Sequence, residues 1–446
     1  RFSFDWSEET MTEAEKKSTI LDNGDGLFQT HVQLDDVQDV IGEQMNTEAR
    51  LGKNTKYTVV GDGNGFMSRV ILVEPEWTVP DEHLPEKFIL KITSCLHVHG
   101  LVEKMKGKSP GAFPAEQEAA LWAIFENEAQ QLHNREVNLY KITEKWNKNE
   151  TMLSPKIYFY KKFDAENKTK GILGMEFVSD VTIRHLYCNA KPYELHPVLR
   201  SLATLQAGSL HLTEDEINSI SGFDFKQMMG AMMNEEGMKN IYEQTREINP
   251  ERLTEKTNTV EAFGLEVVNF ELSCNLNKYV GIERDVLVHG DLWAANILWK
   301  EENDGKFSVS KVIDYQLIHM GNPAEDLVRV FLSTLSGADR QAHWERLLEQ
   351  FYEYFLEALG DDKPPYSLEQ LKESYRCYFV SGGLVMMPMY GPIAQVKLSY
   401  SNDTESVEEY REILTEKAEH LMEDLERWHL YSKDKTNNFK EVETSN

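Results

Sequence analysis

Short runs rich in β-branched and other apolar residues mark the first part of the chain and predict strands. They lie at Tyr57–Gly61, Met67–Val73, Phe88–Thr93, Lys156–Lys162 and Ile172–Val178. Runs of this length and composition favour strands, and the more polar segments between them favour turns and loops. We therefore expect an antiparallel five-stranded lobe that ends near Ser179.

Beyond Ser179 the apolar residues recur at helical spacing. Helices are predicted at Glu194–Leu210, Phe225–Ile248, Val260–Tyr279, Ala324–Leu335, Arg340–Leu359, Leu368–Met387 and Val407–Tyr431. A chain of 446 residues is too long for one core and suits two or three lobes. The predicted fold class is α+β, with an N-terminal extension at 1–55, a strand-rich lobe at 56–179, a helical lobe at 180–431 and a polar tail at 432–446. We expect the extension to pack on the strand-rich lobe and the tail to be disordered.

The run HGDLWAANILW, from His289 to Trp299, places a polar pair between two apolar segments. Asp291 and Asn296 stand five residues apart, which is the spacing in the kinase catalytic loop H-R-D-x-x-x-x-N. In that loop the Asp accepts the proton of the attacking hydroxyl, and the Asn holds a magnesium ion against the nucleotide phosphates. The run therefore indicates phosphoryl transfer.

A second acid follows in KVIDYQ, where Asp314 comes at the end of a short apolar strand. A carboxylate at this position could hold Mg²⁺ together with the amide of Asn296, because Mg²⁺ prefers oxygen ligands. The alternative is structural: Asp291 caps a turn and Asp314 ends a strand.

The nucleotide half of such a site requires a Gly-rich turn and a strand lysine, and both occur upstream. In GDGNGFMSR, the glycines Gly61, Gly63 and Gly65 allow close approach of a phosphate, and Ser68 adds a hydroxyl donor. A Gly-rich hairpin turn with no ligand is equally common. Lys91 follows a Phe-Ile-Leu run in KFILKIT, as the lysine of V-A-I-K does. Alternatively, its ammonium group could simply reach solvent.

The partner of Lys91 is expected to be a glutamate on the following helix, for which two segments, AEQEAALWAIFENEAQQL and HNREVNLYKITEKW, are candidates. We choose Glu136, because Val137, Tyr140 and Ile142 give its segment an apolar side, whereas Glu128 lies in a more uniformly acidic stretch. The alternative is an ordinary solvated glutamate.

Together, GDGNGFMSR, FILK, NREVNLYK, EFVSD, HGDLWAAN and IDYQ resemble the ecdysteroid-kinase-like and choline-kinase-like (CHK) family. More narrowly they resemble its large nematode branch, whose functions are mostly unknown, and Trp293 is typical of that branch. The resemblance spans roughly Asp22 to Tyr431. It implies a bilobal protein-kinase-like fold, with an antiparallel N-lobe and a mainly helical C-lobe, that transfers the γ-phosphate of ATP to a small-molecule hydroxyl.

The resemblance also implies a role for each matching residue. Asp291 would be the catalytic base, and Asn296 and Asp314 the Mg²⁺ ligands. Lys91 would bind the α- and β-phosphates of ATP and pair with Glu136. The phosphate loop would contain Gly61, Gly63, Gly65 and Ser68, and the hinge that receives adenine would be formed by Glu176 to Val178.

Two departures from protein kinases narrow the class. No A-P-E triplet follows Asp314, and Asp326 comes only twelve residues later, in GNPAEDL. This interval has no room for an activation segment and a peptide-docking shelf, so we expect Asp326 to cap or brace the catalytic loop. The Gly-rich turn also lacks the full G-x-G-x-x-G-x-V pattern, which leaves its individual phosphate contacts open.

Composition and charge restrict the partners. A net charge of −28 disfavours nucleic acid and anionic membranes, which both require a basic surface. No apolar run approaches the roughly 18 residues of a membrane span, and no secretory h-region is visible at the start. The four cysteines are far apart, so free thiols in a reducing compartment are expected. We expect a cytoplasmic monomer, and the missing initial Met suggests that the native N-terminus is absent.

The acceptor is the least determined part of this interpretation. Ser374–Ile393 is rich in Tyr and Met, which would suit a bulky apolar alcohol such as a sterol or a glucosylated aromatic, although simple helix packing is the favoured interpretation. The Met run at 228–233 is interpreted as core or as a flexible lid, and zinc at His97 and His99 is disfavoured because no third ligand follows. Choline or ethanolamine remains an alternative acceptor. A catalytically silent kinase fold that binds a lipophilic ligand or a partner is the alternative function.

Overall fold

Two units make up the chain in the computed structural model, which describes residues 19–60, 67–96, 115–222, 233–267, 270–400 and 404–444. The first unit comprises Arg1–Val137 and Lys156–Phe177, and the second comprises Asn138–Pro155 and Val178–Asn446. The division after Phe177 lies two residues before the boundary expected at Ser179. Residues 138–155, which the sequence assigned to the strand-rich lobe, group with the second unit.

The first unit contains the predicted antiparallel five-stranded sheet. Its strands are β1 (Lys56–Val59), β2 (Ser68–Glu74), β3 (Phe88–Thr93), β4 (Ile157–Lys161) and β5 (Ile172–Glu176), in the order β1-β2-β3-β5-β4. The central strand β3 is buried along most of its length, as its Phe-Ile-Leu run predicts. Its register places Lys91 opposite Val70 of β2 and Leu173 of β5.

Two helices accompany this sheet. Helix α1 (Leu34–Gln44) contributes Val37, Val40 and Ile41 to a core that also contains Ile71, Val73, Phe88, Leu90 and Ile92. The N-terminal extension therefore packs on the sheet through an apolar helix face. Helix α2 (Ala115–Glu144) is continuous and includes both segments that the sequence offered as candidates; its residues up to Val137 belong to the first unit.

The second unit is mainly helical. Its helices are α3 (Asn149–Met152), α4 (His196–Ser209), α5 (Glu214–Ile220), α6 (Glu235–Ile248), α7 (Pro250–Val267), α8 (Glu271–Cys274), α9 (Leu276–Val280), α10 (Glu325–Thr334), α11 (Gly337–Leu359), α12 (Leu368–Tyr400) and α13 (Thr404–Thr444). Its short 3₁₀ helices lie at Pro192–Leu195, Ala294–Asn296 and Tyr315–Leu317, and a further one, Leu27–Gln29, lies in the first unit. The α+β class predicted from the sequence is confirmed.

Five short strands support the loops of the second unit. Strand β6 (Val181–Ile183) pairs with β8 (Ile297–Glu301), and β8 pairs with β9 (Phe307–Val312). Strand β7 (Val286–Val288) pairs with β10 (His319–Gly321). All of these pairs are antiparallel. The two sheets place the segments 289–296 and 313–318 next to each other.

The structure corrects three helix limits. Helix α7 begins at Pro250, ten residues before the predicted start at Val260, because Pro fits the first turn of a helix, where its missing N–H is not needed. The same helix was predicted to end at Tyr279 but ends at Val267, and the short helices α8 and α9 follow it. Helix α12 continues past the predicted end at Met387 to Tyr400; Tyr390, three residues beyond Met387, is buried, and its burial favours continuation of the helix.

The expectation of a disordered tail is wrong for most of its length. Helix α13 continues to Thr444, through the segment 432–444. This segment contains no Gly or Pro. Extending an existing helix by one residue fixes the backbone of that residue only and gains one hydrogen bond, which favours continuation of α13. Within the described residues, no helix combines the length and the apolar character that crossing a membrane requires.

Candidate active site

A buried ion pair joins the central strand of the first unit to helix α2. The Lys91 Nζ lies 2.7 Å from the Glu136 Oε2, and the two side chains are 9% and 1% exposed. Lys91 is buried because it occupies the middle of the sheet, so its ammonium group requires a partner. Glu128, the alternative that the sequence offered, lies 3.9 Å from Arg135 instead. The expected pairing of Lys91 with Glu136 is thus present, and its role toward phosphate stays a prediction.

The other residues predicted for nucleotide binding are placed as follows. Ser68 begins β2 and lies opposite Thr93. Gly61, Gly63 and Gly65 lie outside the described residues. Glu176 ends β5, where its carboxylate accepts a hydrogen bond of 3.0 Å from the Lys156 amide, and Val178 begins the second unit. Their contacts with ATP stay predictions.

The catalytic-loop candidate leaves the buried strand β7 through Gly290. This glycine has a φ of 79°, and a Cβ there would lie 2.2 Å from the Leu317 carbonyl oxygen, so only glycine fits without movement. Asp291 follows directly. The Asn296 Nδ2 donates hydrogen bonds to the Asp291 carbonyl oxygen at 2.8 Å and to the Asp291 Oδ2 at 3.1 Å. The five-residue spacing thus becomes direct contact between the two side chains.

Asp314 lies beside this loop, two residues after β9. It adopts a left-handed conformation with a φ of 70°, which Asp tolerates better than most residues. The preceding Ile313 donates its N–H to the Asn296 carbonyl at 3.0 Å, and the following Tyr315 packs on His289 with ring centroids 4.4 Å apart. The two motifs found in the sequence therefore form one cluster in the second unit.

Burial controls the ionisation of this cluster. Removal from water raises the pKa of Asp291 to about 6; the Arg329 guanidinium and the Asn296 hydrogen bond oppose this effect, and the negative charge of Asp314 adds to it. Burial also lowers the pKa of His289 to about 4, so this imidazole is neutral at pH 7. Its Nε2 lies 3.1 Å from the Ile313 carbonyl oxygen, a contact that requires the proton on Nε2.

The donor atoms of the cluster fit magnesium. With its amide nitrogen bonded to Asp291, Asn296 has its Oδ1 left, and within the described residues no hydrogen-bond donor reaches that oxygen. Asp314 adds a carboxylate whose charge already acts on Asp291. Amide and carboxylate oxygens are suitable Mg²⁺ ligands, and the ion commonly keeps water and phosphate as further ligands. Among the described residues, no group of three or more His, Cys, Asp and Glu offers a metal site.

Helix α10 supplies the residues that hold the loop in place. The Asp326 carboxylate accepts hydrogen bonds from the His289 amide at 2.7 Å and the Gly290 amide at 3.0 Å. The expectation that Asp326 braces the loop is therefore confirmed. Two further residues of this helix were not predicted from the sequence. Arg329 donates to the Asp291 carboxylate at 2.9 Å, and the Ser333 hydroxyl accepts from the Ala294 amide at 3.0 Å. They lie three and seven residues after Asp326 on the same face of α10, but no sequence motif marks them.

The Tyr- and Met-rich segment of α12 lies in the helix core. Its buried members are Tyr375, Tyr378, Phe379, Met386, Met387 and Tyr390. Tyr375 stacks on Trp344 with ring centroids 5.0 Å apart, and the Tyr390 hydroxyl donates to the Leu332 carbonyl. These contacts favour packing over an acceptor wall. Met233 is buried as well, whereas His97, His99 and the Met run at 228–232 lie outside the described residues. No disulfide joins the four cysteines, which all lie within the described residues.

The family of the chain follows from its extended sequence similarity. Residues 20–433 match the family DUF1679, described as "Uncharacterized oxidoreductase dhs-27", and the chain belongs to this family. Uncharacterized oxidoreductase dhs-27 of Caenorhabditis elegans is 25% identical over 355 residues, which are 77% of this chain and 40% of that protein. Uncharacterized kinase-like protein D1044.1 of the same organism is 35% identical over 94 residues, 21% of this chain and 24% of that protein.

Solved structures with a similar chain path include two small-molecule kinases. One is choline kinase from Cryptosporidium parvum, with a TM-score of 0.44 and 12% identity over 90% of this chain and 98% of that one. The other is wild-type aminoglycoside 2'-phosphotransferase-IIIa in its GDP complex, with a TM-score of 0.42 and 13% identity over 87% of this chain and 99% of that one.

Substituting Glu136 tests the buried ion pair. Glu136→Gln removes the charge that compensates Lys91, and loss of one partner of a buried pair typically lowers the free energy of unfolding by about 3–5 kcal/mol. Urea denaturation measures this change. Glu74→Gln is the matched control, because Glu74 also pairs with a lysine, Lys87, which directly precedes β3, at 2.7 Å, but with side chains that are 35% and 46% exposed. The control should leave the midpoint nearly unchanged; equal midpoints for both variants would contradict the assignment.

Substituting Asp326 tests the brace of the catalytic loop. Asp326→Asn leaves one of the two loop amides without an acceptor, which should lower the free energy of unfolding by about 1–3 kcal/mol. Burial raises the pKa of Asp326 from 3.8 to about 6, so between these values the folded protein holds a proton that the unfolded chain has released. The stability that Asp326 contributes therefore falls as the pH rises toward about 6 and is constant above it.

This part of the pH dependence should be absent from Asp326→Asn. Urea denaturation of wild type and variant between about pH 4 and pH 7 compares the two slopes. The exposed Asp362→Asn serves as the control and should keep the wild-type slope and midpoint. Identical slopes for wild type and Asp326→Asn would mean that Asp326 does not titrate in this range.

Proposed function

We propose that the protein is an ATP- and Mg²⁺-dependent O-phosphotransferase that acts on an alcohol hydroxyl of a small molecule. The observation that carries the proposal is the contact between Asp291 and Asn296, in which a partly buried carboxylate is held by an amide whose oxygen remains available for a metal ion. Asp314 lies close enough to raise the pKa of Asp291. A base, an amide oxygen and a second carboxylate are the groups that phosphoryl transfer requires of such a loop.

Each group has a defined task in the proposed reaction. The acceptor hydroxyl gives its proton to a carboxylate oxygen of Asp291 while its oxygen forms a bond to the γ-phosphorus of ATP. The bond between that phosphorus and the β–γ bridging oxygen breaks, and ADP leaves with the electron pair. Asn296 and Asp314 would hold Mg²⁺, which neutralises charge on the phosphate oxygens when bound. Lys91, kept in place by Glu136, would bind the α- and β-phosphates.

The proposed acceptor is an uncharged alcohol, such as a sterol, a glucoside or another lipophilic metabolite. Asp291 already forms an ion pair with Arg329 at 2.9 Å, so its negative charge is matched within the protein. A cationic acceptor such as choline or ethanolamine would gain little attraction from a carboxylate paired in this way. Uncharged alcohols are therefore favoured over the amino alcohols.

The oxidoreductase name of the C. elegans relative is not proposed for this chain. This chain spans 40% of that relative, and a dinucleotide-binding fold requires parallel strands joined through helices. Every strand pair in the described residues is antiparallel. A catalytically silent fold is the second alternative, and the retention of Lys91, Glu136, Asp291, Asn296 and Asp314 in these contacts favours an active enzyme.

Matched substitutions of Asp291 and Asp314 distinguish the proposed catalytic base from the proposed metal ligand. Asp291→Asn should abolish turnover and leave nucleotide binding nearly intact, because it removes the proton acceptor but no proposed ATP contact. Asp314→Asn should instead lose metal-dependent binding. In wild type, Mg²⁺-ATP at a hundred times its Kd should stabilise the fold by about 2.7 kcal/mol, which thermal unfolding detects. Full activity of Asp291→Asn would contradict the assignment of Asp291 as the catalytic base. If Mg²⁺-ATP does not stabilise the wild-type protein, the proposed phosphotransferase activity is contradicted.

Identifying the product tests the function directly. The protein is incubated with γ-labelled ATP and a metabolite extract, with Asp291→Asn as the matched control. A labelled species that forms only with wild type is isolated and identified by mass spectrometry. We expect a phosphate monoester of an uncharged alcohol. Label in phosphocholine or phosphoethanolamine would overturn the proposed acceptor class, and no labelled organic product with any extract would favour the silent fold.

A further inference from the structure

Helix α10 presents three side chains to the catalytic loop from one face. Asp326 accepts the His289 and Gly290 amides, Arg329 binds Asp291, and the Ser333 Oγ accepts the Ala294 amide. These positions are three and four residues apart, so they lie on successive turns of the same face. The backbone of the loop is held at its start and near its end, whereas Arg329 binds the side chain of the proposed base.

The contact between Arg329 and Asp291 is specific to the reacting carboxylate. The Arg329 Nη1 lies 2.9 Å from the Asp291 Oδ1, and the side chains are 16% and 21% exposed. Within the described residues, the Nε and Nη2 of Arg329 donate no further hydrogen bond. Here one donor is directed at the base.

The two carboxylate oxygens of Asp291 thus have different partners. Asn296 donates to Oδ2 at 3.1 Å and Arg329 to Oδ1 at 2.9 Å. The terminal torsion of an Asp side chain is broad, so one partner alone would leave the carboxylate plane free to turn. Two partners on opposite oxygens fix that plane. Each oxygen has two lone pairs, so an acceptor hydroxyl can still bind without displacing either partner.

We propose that Arg329 is a positioning residue for phosphoryl transfer, which fixes the Asp291 carboxylate plane so that a free lone pair meets the acceptor hydroxyl. This inference rests on the proposed function, since it assigns a task to Arg329 in the same reaction. A purely structural ion pair would contribute to stability and leave the turnover number unchanged. A positioning residue changes the turnover number more than the binding of either substrate.

Kinetics of three variants distinguish these roles. Arg329→Gln keeps a polar side chain but removes the positive charge. Because the Asp291 carboxylate would then lose its fixed orientation, kcat should fall by about 10²-fold, as it commonly does when reacting groups are misplaced. The KM values for ATP and for the acceptor found in the extract should change little. Arg329→Lys keeps the positive charge but lacks the planar guanidinium group, so its kcat should lie between those of wild type and Arg329→Gln.

Arg200→Gln is the matched control. Arg200 also forms an ion pair at 2.7 Å, with Glu357, but this pair is exposed and joins α4 to α11 away from the catalytic loop. We expect wild-type kcat and KM for this variant. An Arg329→Gln enzyme with wild-type kcat, or one in which only KM rises, would overturn the positioning role.

A measurement without turnover tests the contact itself. The free energy of unfolding is measured by urea for wild type, Arg329→Gln, Asp291→Asn and the double variant. If the two side chains interact as the distance indicates, Arg329→Gln should lower the unfolding midpoint more in wild type than in the Asp291→Asn background. Equal shifts in both backgrounds would show that the pair is not formed in solution and would overturn the inference.

The two proposals fail in different ways. A wild-type protein that binds no Mg²⁺-ATP and labels no acceptor overturns the proposed function and, with it, the catalytic task of Arg329. An active wild type with an equally active Arg329→Gln overturns only the positioning role. Thermal stabilisation of Arg329→Gln by Mg²⁺-ATP should equal that of wild type, because Arg329 is assigned to the base and not to the nucleotide.

Discussion

The hydrogen bonds from the His289 and Gly290 amides to the buried Asp326 carboxylate are the constraint on which the candidate site depends. They fix the start of the catalytic loop to helix α10, and further contacts of the loop come from Arg329 and Ser333 of that helix and from the adjacent Ile313 and Tyr315. The helix is itself anchored at its C-terminal end. The carbonyls of Leu332, Ser333 and Thr334 accept from Tyr390, the buried Lys417 and Ala190. Burial lowers the pKa of Lys417 to about 7, a cost that its place at a helix C-terminus partly offsets.

Two buried or largely buried ion pairs lie where chemistry is proposed, and others, such as Arg340 with Asp424, lie elsewhere in the second unit. Lys91 with Glu136 and Asp291 with Arg329 are both held largely away from water. Pairs of this kind often contribute little net stability, because desolvation offsets the attraction between the charges. Hydrophobic residues of similar size could fill such positions at less cost. Because Arg340 with Asp424 is buried as well, burial of charge does not by itself mark a functional residue. The argument for function rests on the contacts of Asp291 with Asn296 and Arg329.

The sequence predicted the features that depend on local pattern. The five strands, the spacing of Asp291 and Asn296 and the position of Asp314 were all readable from short segments. Helix α5 was also readable, since Thr213 and Glu216 form a capping box, but it was not predicted. Features set by distant contacts were out of reach. Residues 138–155 group with the second unit because Met152, Leu153 and Ser154 accept hydrogen bonds from Ser201, Val312 and Lys311, and nothing in the local sequence reports those partners.

The same distinction explains why Arg329 was missed and Asp326 was not. Asp326 was noticed as the acid that follows Asp314 too soon for a protein-kinase activation segment. Arg329 has no motif of its own, and its importance appears only when helix α10 is laid against the loop, where one turn separates it from Asp326. For the Tyr- and Met-rich segment, composition left a ligand wall open beside the favoured helix packing, and the burial of its residues assigns it to packing. Composition identifies apolar residues, but only the fold decides whether they face a ligand or one another. The class of phosphate acceptor therefore has to be inferred from the residues that contact Asp291, and Arg329 is one of them.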